Sequence, residues 1–373
     1  MQTKNELTTN PEKDNNPYEA NPIYKEAKGI KYINLDGAPH STALIDWYFY
    51  WGFFIRHHFG GKCADAMIEK AQDRVRLISK SLPVHQTRPV PEYSADKMTP
   101  EIFKSIFIKH HTPVVLRGLA REFSCVKKWT PDFFSKEYGQ EKVRVRIAAS
   151  HKSLKGHEVV QMPMSELCED IKNDGEMQGA ALEDIIVQHK ELKEDLQTYR
   201  LHPYSGRILA TQIYMSGSKA KSSMHCAPGG NLFVQVYGSK KWSFVNPRHT
   251  LWMQAIRSRD MISSLSYADA ILSNEENDST GYDLFKYVPR FQVDLQPGDV
   301  LFSPQWWWHQ VNNNSPSIGV ACRFFCNILA GNPGYSFVSF TDWPAMQLNA
   351  SAIFRGHGAD AILSQKLFIP VDK

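Results

Sequence analysis

Between residues 208 and 325 the chain is a succession of short apolar runs, rich in β-branched and aromatic residues and each closed by a turn signal. The runs cover 208–214, 232–237, 241–245, 291–295, 300–303, 309–311 and 318–325. Between them stand Ser216-Gly217-Ser218, Gly238-Ser239, Gln296-Pro297-Gly298-Asp299 and the Asn/Ser/Pro cluster at 312–316. Many short strands with such punctuation bury their apolar faces by closing into an all-β barrel or sandwich. A helical, polar insert is expected over 248–285, and no internal repeat is present.

The N-terminal part reads differently. Residues 1–25 are dominated by Lys, Asn, Glu and Pro and read as disordered. Residues 26–89 form a helical, aromatic-rich extension. Within it, 41–59 carries Trp47, Tyr48, Phe49, Tyr50, Trp51, Phe53, Phe54 and Phe59, too aromatic for a free surface helix. It is expected to pack on the main domain or across a homodimer seam, or to serve as a docking surface or substrate cover. His57 and His58 are adjacent, point apart on a helix and do not share an ion. Residues 62–80 read as an amphipathic helix, and Pro83, Pro89 and Pro91 as a linker. Thr99-Pro100 and Thr130-Pro131 are helix starts, each with a threonine cap before a proline. Residues 113–118 make a short strand and 143–147 a half-exposed one, whereas 150–200 reads as helices and loops. Short helical pieces are expected at 344–348 and 359–363 in a tail over 331–373.

Charge is spread along the chain at a net +4, with no Lys/Arg run dense enough for a nucleic-acid groove. No stretch of about 20 apolar residues marks a membrane span, and the first residues lack a signal-peptide core. None of the six cysteines forms a C-x-x-C pair, which fits a reduced, cytoplasmic protein with buried thiols.

Two of the 14 histidines stand apart. His225 lies in the irregular segment Ser222-Ser223-Met224-His225-Cys226-Ala227-Pro228-Gly229-Gly230, just before a strand. His309 follows Pro304-Gln305-Trp306-Trp307-Trp308 at the start of another strand, and residues so far apart in sequence can meet across a barrel mouth. By the two-residue period of a strand, Asn231, Phe233, Gln235 and Tyr237 share one face. Asn231 and Gln235 are then polar groups in the barrel interior, candidates for orienting substrate or water. Arg323 sits in the apolar run Ile318-Gly319-Val320-Ala321-Cys322-Arg323-Phe324-Phe325, where a charge needs a partner.

These motifs carry a family resemblance. Residues 90–330 resemble the JmjC/cupin-like (cupin-8 type) Fe(II)- and 2-oxoglutarate-dependent oxygenases. The likeness rests on Pro113-Val114-Val115-Leu116-Arg117-Gly118, on 222–238 with its histidine-to-asparagine spacing, on Gly238-Ser239-Lys240, and on Pro297-Gly298-Asp299 followed by Trp307-Trp308-His309. It implies a mainly β protein with helices, a double-stranded β-helix (cupin, jelly-roll) core behind the N-terminal extension. It further implies that His225 and His309 bind iron, and that Lys240 and Ser222 hold the distal carboxylate of 2-oxoglutarate. The family completes its metal site with an acid two residues after the first histidine, but this chain has Ala227, and a methyl group cannot ligate.

Iron halogenases, which this His-x-Ala variant resembles, carry Ala or Gly there and admit chloride. The implied function is oxidative C–H functionalisation, with halogenation as the form that Ala227 favours. A hydroxylase with a two-histidine iron site and an inactive cupin-like binding protein are the alternatives. Arg323 is a candidate to hold 2-oxoglutarate, a substrate carboxylate or halide, and one ring of Trp306–Trp308 to face substrate. The substrate class stays open among small molecules, carrier-tethered acyl groups and protein side chains.

Overall fold

The computed structural model describes residues 40–147, 158–182, 184–257, 264–327 and 331–341, with the single positions 22 and 25. The expected N-terminal disorder over 1–25, apart from positions 22 and 25, which are helical, and the helical pieces at 344–348 and 359–363 lie outside the described residues. Two facing sheets of seven and nine strands build the body. Eight strands form its core: β1 (Ile208–Ser216), β2 (Met224–Cys226), β3 (Gly230–Tyr237), β4 (Lys240–Val245), β5 (Arg290–Leu295), β6 (Val300–Ser303), β7 (Trp308–Asn313) and β8 (Ser317–Phe324). One sheet holds β6-β3-β8-β1 and the other β5-β4-β7-β2, all antiparallel to their neighbours. Successive strands alternate between the sheets except at β4–β5, so the chain winds as a double-stranded β-helix.

The strand ends match the sequence reading to within a residue or two for seven of these eight. The eighth, β2, is a correction: the segment read as irregular around His225 is a three-residue strand on the edge of β7. The proline stretch read as a linker also contributes two strands, Thr87–Pro89 parallel to β5 and Glu92–Ser94 parallel to Val114–Arg117. Proline is tolerated at such edges because no ladder donor is lost there. Within 150–200, strands Glu158–Pro163 and Met177–Leu182 extend the larger sheet beyond β1 through Lys142–Ile147, where only helices and loops were expected. The insert after β4 carries strands Ile256–Arg257 and Ser264–Ser266 besides its helix Asn274–Ser279.

Three apolar layers follow from strand alternation. Phe233, Trp242, Phe244, Val293, Leu295, Leu301, Trp307 and Ala321 fill the barrel between the sheets. The other face of β3 and β8, with Leu232, Val234, Val236, Val320 and Cys322, packs on the helices between residues 100 and 205. The threonine caps appear as expected: Ile102 N donates to Thr99 Oγ1 and Phe133 N to Thr130 Oγ1. On the opposite side, the helices α1 (Ala43–His58) and α2 (Lys62–Ser79) cover the back of the other sheet. Phe49, Phe53, Ile68, Ala71 and Val75 meet Met224, Cys226, Trp308 and Tyr335 there. The aromatic segment therefore packs on the domain with one face, while Trp47 (59% exposed) and Trp51 stay on the other.

Two motifs behind the resemblance are one structural clasp. Asp299 accepts from Gly118 N, Gln296 N and Arg117 Nη1, tying the turn before β6 to the strand Val114–Arg117. Gly238 (φ +62°) makes the β3–β4 turn, where a Cβ would overlap the Pro316 carbonyl. Among the described residues no helix is long and apolar enough to cross a membrane.

Candidate metal and oxoacid site

The site begins with β2. Met224 and Cys226 turn outward into the layer under α1, so the residue between them, His225, turns into the barrel. Cys226 thus points away from His225. Strand β7 does the same with Trp308 outward and His309 inward. Their register sets His225 opposite His309 with ring centroids 4.2 Å apart.

Each ring is fixed by its own chain. His225 Nδ1 lies 2.9 Å from Ser223 O, and His309 Nδ1 2.8 Å from Trp307 O. A carbonyl only accepts, so Nδ1 carries the proton in both rings and each Nε2 presents a lone pair. That is the tautomer an imidazole needs to bind a metal. Burial pushes His225 down to about 4, and nearby Arg323 and Arg146 add to this. Burial, then the neighbouring His225, takes His309 well below its ordinary value. Both rings are therefore neutral donors at physiological pH.

Ala227 follows directly. Its carbonyl accepts from Trp306 N at 2.9 Å, which binds the loop after the first histidine to the loop before the second. Trp306 takes a left-handed φ of +61°, unusual for a bulky residue. Its indole donates to Ser336 Oγ at 2.9 Å. Among the described residues no group of three His, Cys, Asp or Glu side chains gathers to hold a metal. The donor set fits a two-imidazole site completed from outside the described residues or by exogenous ligands, and does not fit a three-residue protein triad.

Lys240 and Ser222 lie in the same barrel. The strand pairs step down from His309–Phe244 through Val311–Trp242 to Asn313–Lys240. Lys240 is 3% exposed, donates to Asn313 Oδ1 at 2.6 Å, and is pushed down to about 7 by burial. A buried ammonium set against a neutral amide is the cradle an anion requires. Ser222 accepts from Val311 N at 2.8 Å through Oγ, leaving its hydroxyl hydrogen to donate. These residues fit an oxoacid that reaches from the histidines to Lys240. Lys241, next along, is half-exposed.

The remaining candidates separate. Asn231 is buried at 4%, its Oδ1 meets no partner among the described residues, and it pairs with Arg323 across β3 and β8. Arg323 Nε donates to Gln212 Oε1 at 3.3 Å, and Tyr214 OH donates to the same oxygen at 3.1 Å. Gln235 departs from its expected role: its Nε2 donates to Tyr237 O at 2.8 Å and Gly238 O at 3.0 Å, clasping the turn. Of the three tryptophans, Trp307 faces the barrel, whereas Trp306 and Trp308 face the helical layer.

Sequence reasoning missed Asn313. Its Nδ2 donates to Ser216 Oγ, Gly217 O and Ala220 O, and its Oδ1 receives Lys240 and Ser317 Oγ. The residue lies in an Asn-rich stretch that reads as turn punctuation, so no local signal marks it.

The comparisons with known proteins agree with this fold. Residues 100–327 match the model of the cupin-like domain family. The chain belongs to that family. Mouse tRNA wybutosine-synthesizing protein 5 is 25% identical over 63% of this chain and 77% of that protein. The Drosophila melanogaster Jumonji C domain-containing protein 5 is 23% identical over 62% of this chain and 59% of its own length. Lysine-specific demethylase 8 of Xenopus tropicalis is 23% identical over 59% of this chain and 50% of its own length.

Proposed function

We propose that this cupin-like protein is an Fe(II)- and 2-oxoglutarate-dependent oxygenase that functionalises a C–H bond. One observation carries the reading: two imidazoles with free Nε2 atoms face each other at one level of the barrel, and a buried lysine waits two strand pairs below. His225 and His309 would hold the metal, and Lys240 with Ser222 the distal carboxylate of 2-oxoglutarate. The bound metal and cosubstrate supply oxygen activation, and the chain's residues orient the acid, exclude water and set the access of a third ligand.

The finer reading concerns Ala227. Its methyl supplies no ligand where the family has an acid, and chloride is the ligand proposed to take that acid's part. The balanced reaction is R–H + 2-oxoglutarate + O2 + Cl⁻ + H⁺ → R–Cl + succinate + CO2 + H2O. With water in that place, the product is the alcohol and chloride is not consumed. Lys240 supports an active site over a decayed scaffold, because a buried ammonium held only by a neutral amide still has its charge to pair with an anion.

The test is anaerobic Fe(II) and 2-oxoglutarate binding followed by admission of oxygen. Iron-dependent conversion of 2-oxoglutarate to succinate is the expected result. A protein that binds neither Fe(II) nor 2-oxoglutarate refutes the enzyme reading, and turnover indifferent to chloride and free of halogenated product removes halogenation.

A further inference from the structure

Among the described residues, an indole buried inside the barrel has a donor with no acceptor. Trp242 is 3% exposed, and its Nε1 finds no hydrogen-bond partner among the described residues. Its ring is packed on several sides. Phe233 meets it edge-on at 4.9 Å, Phe244 stacks at 5.6 Å, and His309 stacks at 5.5 Å with the planes 21° apart. An indole so enclosed ordinarily satisfies its N–H, because a buried unpaired donor is costly.

The register shows what is missing. Trp242 pairs with Val311, midway between the His309–Phe244 pair and the Asn313–Lys240 pair. Two residues along a strand advance about 7 Å on the same face. Ser222 is bonded to the same Val311 through both N–H···O=C and Oγ contacts, so it stands at Trp242's level on the other side of β7. A diacid that starts at the histidines and ends on Lys240 must therefore pass Trp242.

We infer that Trp242 Nε1–H donates a hydrogen bond to the oxoacid bound between the histidine pair and Lys240. The same indole, stacked on His309, holds that ring's plane. Trp242 thus joins the two ends of the site: it grips the acid by its edge and braces the metal ligand by its face. The inference rests on the reading of this barrel as a 2-oxoglutarate site.

The test uses Zn(II)-loaded full chain, which binds without turnover, and 2-oxoglutarate as the probe in calorimetric titrations. Trp242→Phe keeps an aromatic face and removes the donor. It should weaken 2-oxoglutarate binding about tenfold, the size expected for a hydrogen bond to a charged acceptor. Zn(II) affinity should stay within about twofold of wild type. Equal 2-oxoglutarate affinity in wild type and Trp242→Phe overturns the inference, while loss of binding in Lys240→Met shows that the reading beneath it still stands. A matching fall in Zn(II) affinity marks a purely structural role and also overturns it. A wild type that binds no 2-oxoglutarate brings down both. A measurement without any variant covers a misfolded mutant: in wild-type protein with ¹⁵N-indole tryptophan, one indole proton should move downfield when 2-oxoglutarate is added. No such movement overturns the inference.

Discussion

Lys240→Met separates what this lysine does for binding from what it does to stability, and pH is the variable that reads the difference. Burial moves the ammonium from 10.5 to about 7. The gap corresponds to roughly 5 kcal/mol against the charged form in the folded protein. In the unfolded chain the lysine keeps its proton until about pH 10.5, whereas the folded protein releases it near pH 7. Between those values the unfolded state binds more protons, so stability rises with pH; below pH 7 the full penalty stands. From pH 6 to pH 9 the wild type should gain roughly 2–3 kcal/mol relative to Lys240→Met. Urea unfolding of both proteins at the two pH values measures this. Any constant cost of removing the ammonium from Asn313 Oδ1 cancels in the comparison, and Ser317 Oγ still donates there at 3.0 Å. Saturating 2-oxoglutarate should flatten the wild-type slope by holding the lysine protonated. Parallel pH curves, or a wild type that loses ground to the variant as pH rises, would refute the reasoning.

Ala227→Asp puts a carboxylate two residues after His225. It should tighten anaerobic Fe(II) binding on the order of tenfold or more, since even indirect metal contacts are worth that much, and should shift product from halide to alcohol; unchanged affinity would show that position 227 does not face the metal. Trp308→Ala removes a fully buried indole that donates to Thr250 Oγ1 at 3.0 Å. Urea unfolding should register a loss of about 3–5 kcal/mol. Gly319→Ala drives a Cβ into the Phe233 ring, which rests on Trp242. It should cost about 1–3 kcal/mol and weaken 2-oxoglutarate binding in the same titration, and a neutral result on both would show slack in the barrel.

Much of the barrel was legible because its strands carry strong local signals. β6 is apolar and follows Pro297-Gly298-Asp299, and β3 and β8 are long runs flanked by glycine or proline. β2 was not legible. Three residues followed by Ala-Pro-Gly-Gly have no strand signal of their own, and pairing with β7, 84 residues away, makes the strand. Met177–Leu182 was hidden for a related reason, because Gln-Gly-Ala-Ala favours no strand until β1 and Lys142–Ile147 sandwich it. At the site, the family resemblance, and not any local signal, singled out His225, His309, Ser222 and Lys240 together. The period-two argument put Gln235 with Asn231, yet it could not see that the Gln235 amide would close on its own turn. Nor could it see that Asn313 would hold Lys240, since a hydrogen-bond clasp leaves no periodic trace.

The family match and the folding unit have different boundaries. The match ends at residue 327 and starts at residue 100, but the backs of the two histidine strands rest on Phe49, Phe53, Val75 and Tyr335. A fragment trimmed to the match would keep every proposed ligand and lose the wall behind two of them. Met224, Cys226 and Trp308 would become a bare apolar strip along a sheet face, a template for self-association. Recombinant fragments of this barrel should therefore start before α1 and extend past Thr341, or they will report on aggregation instead of chemistry.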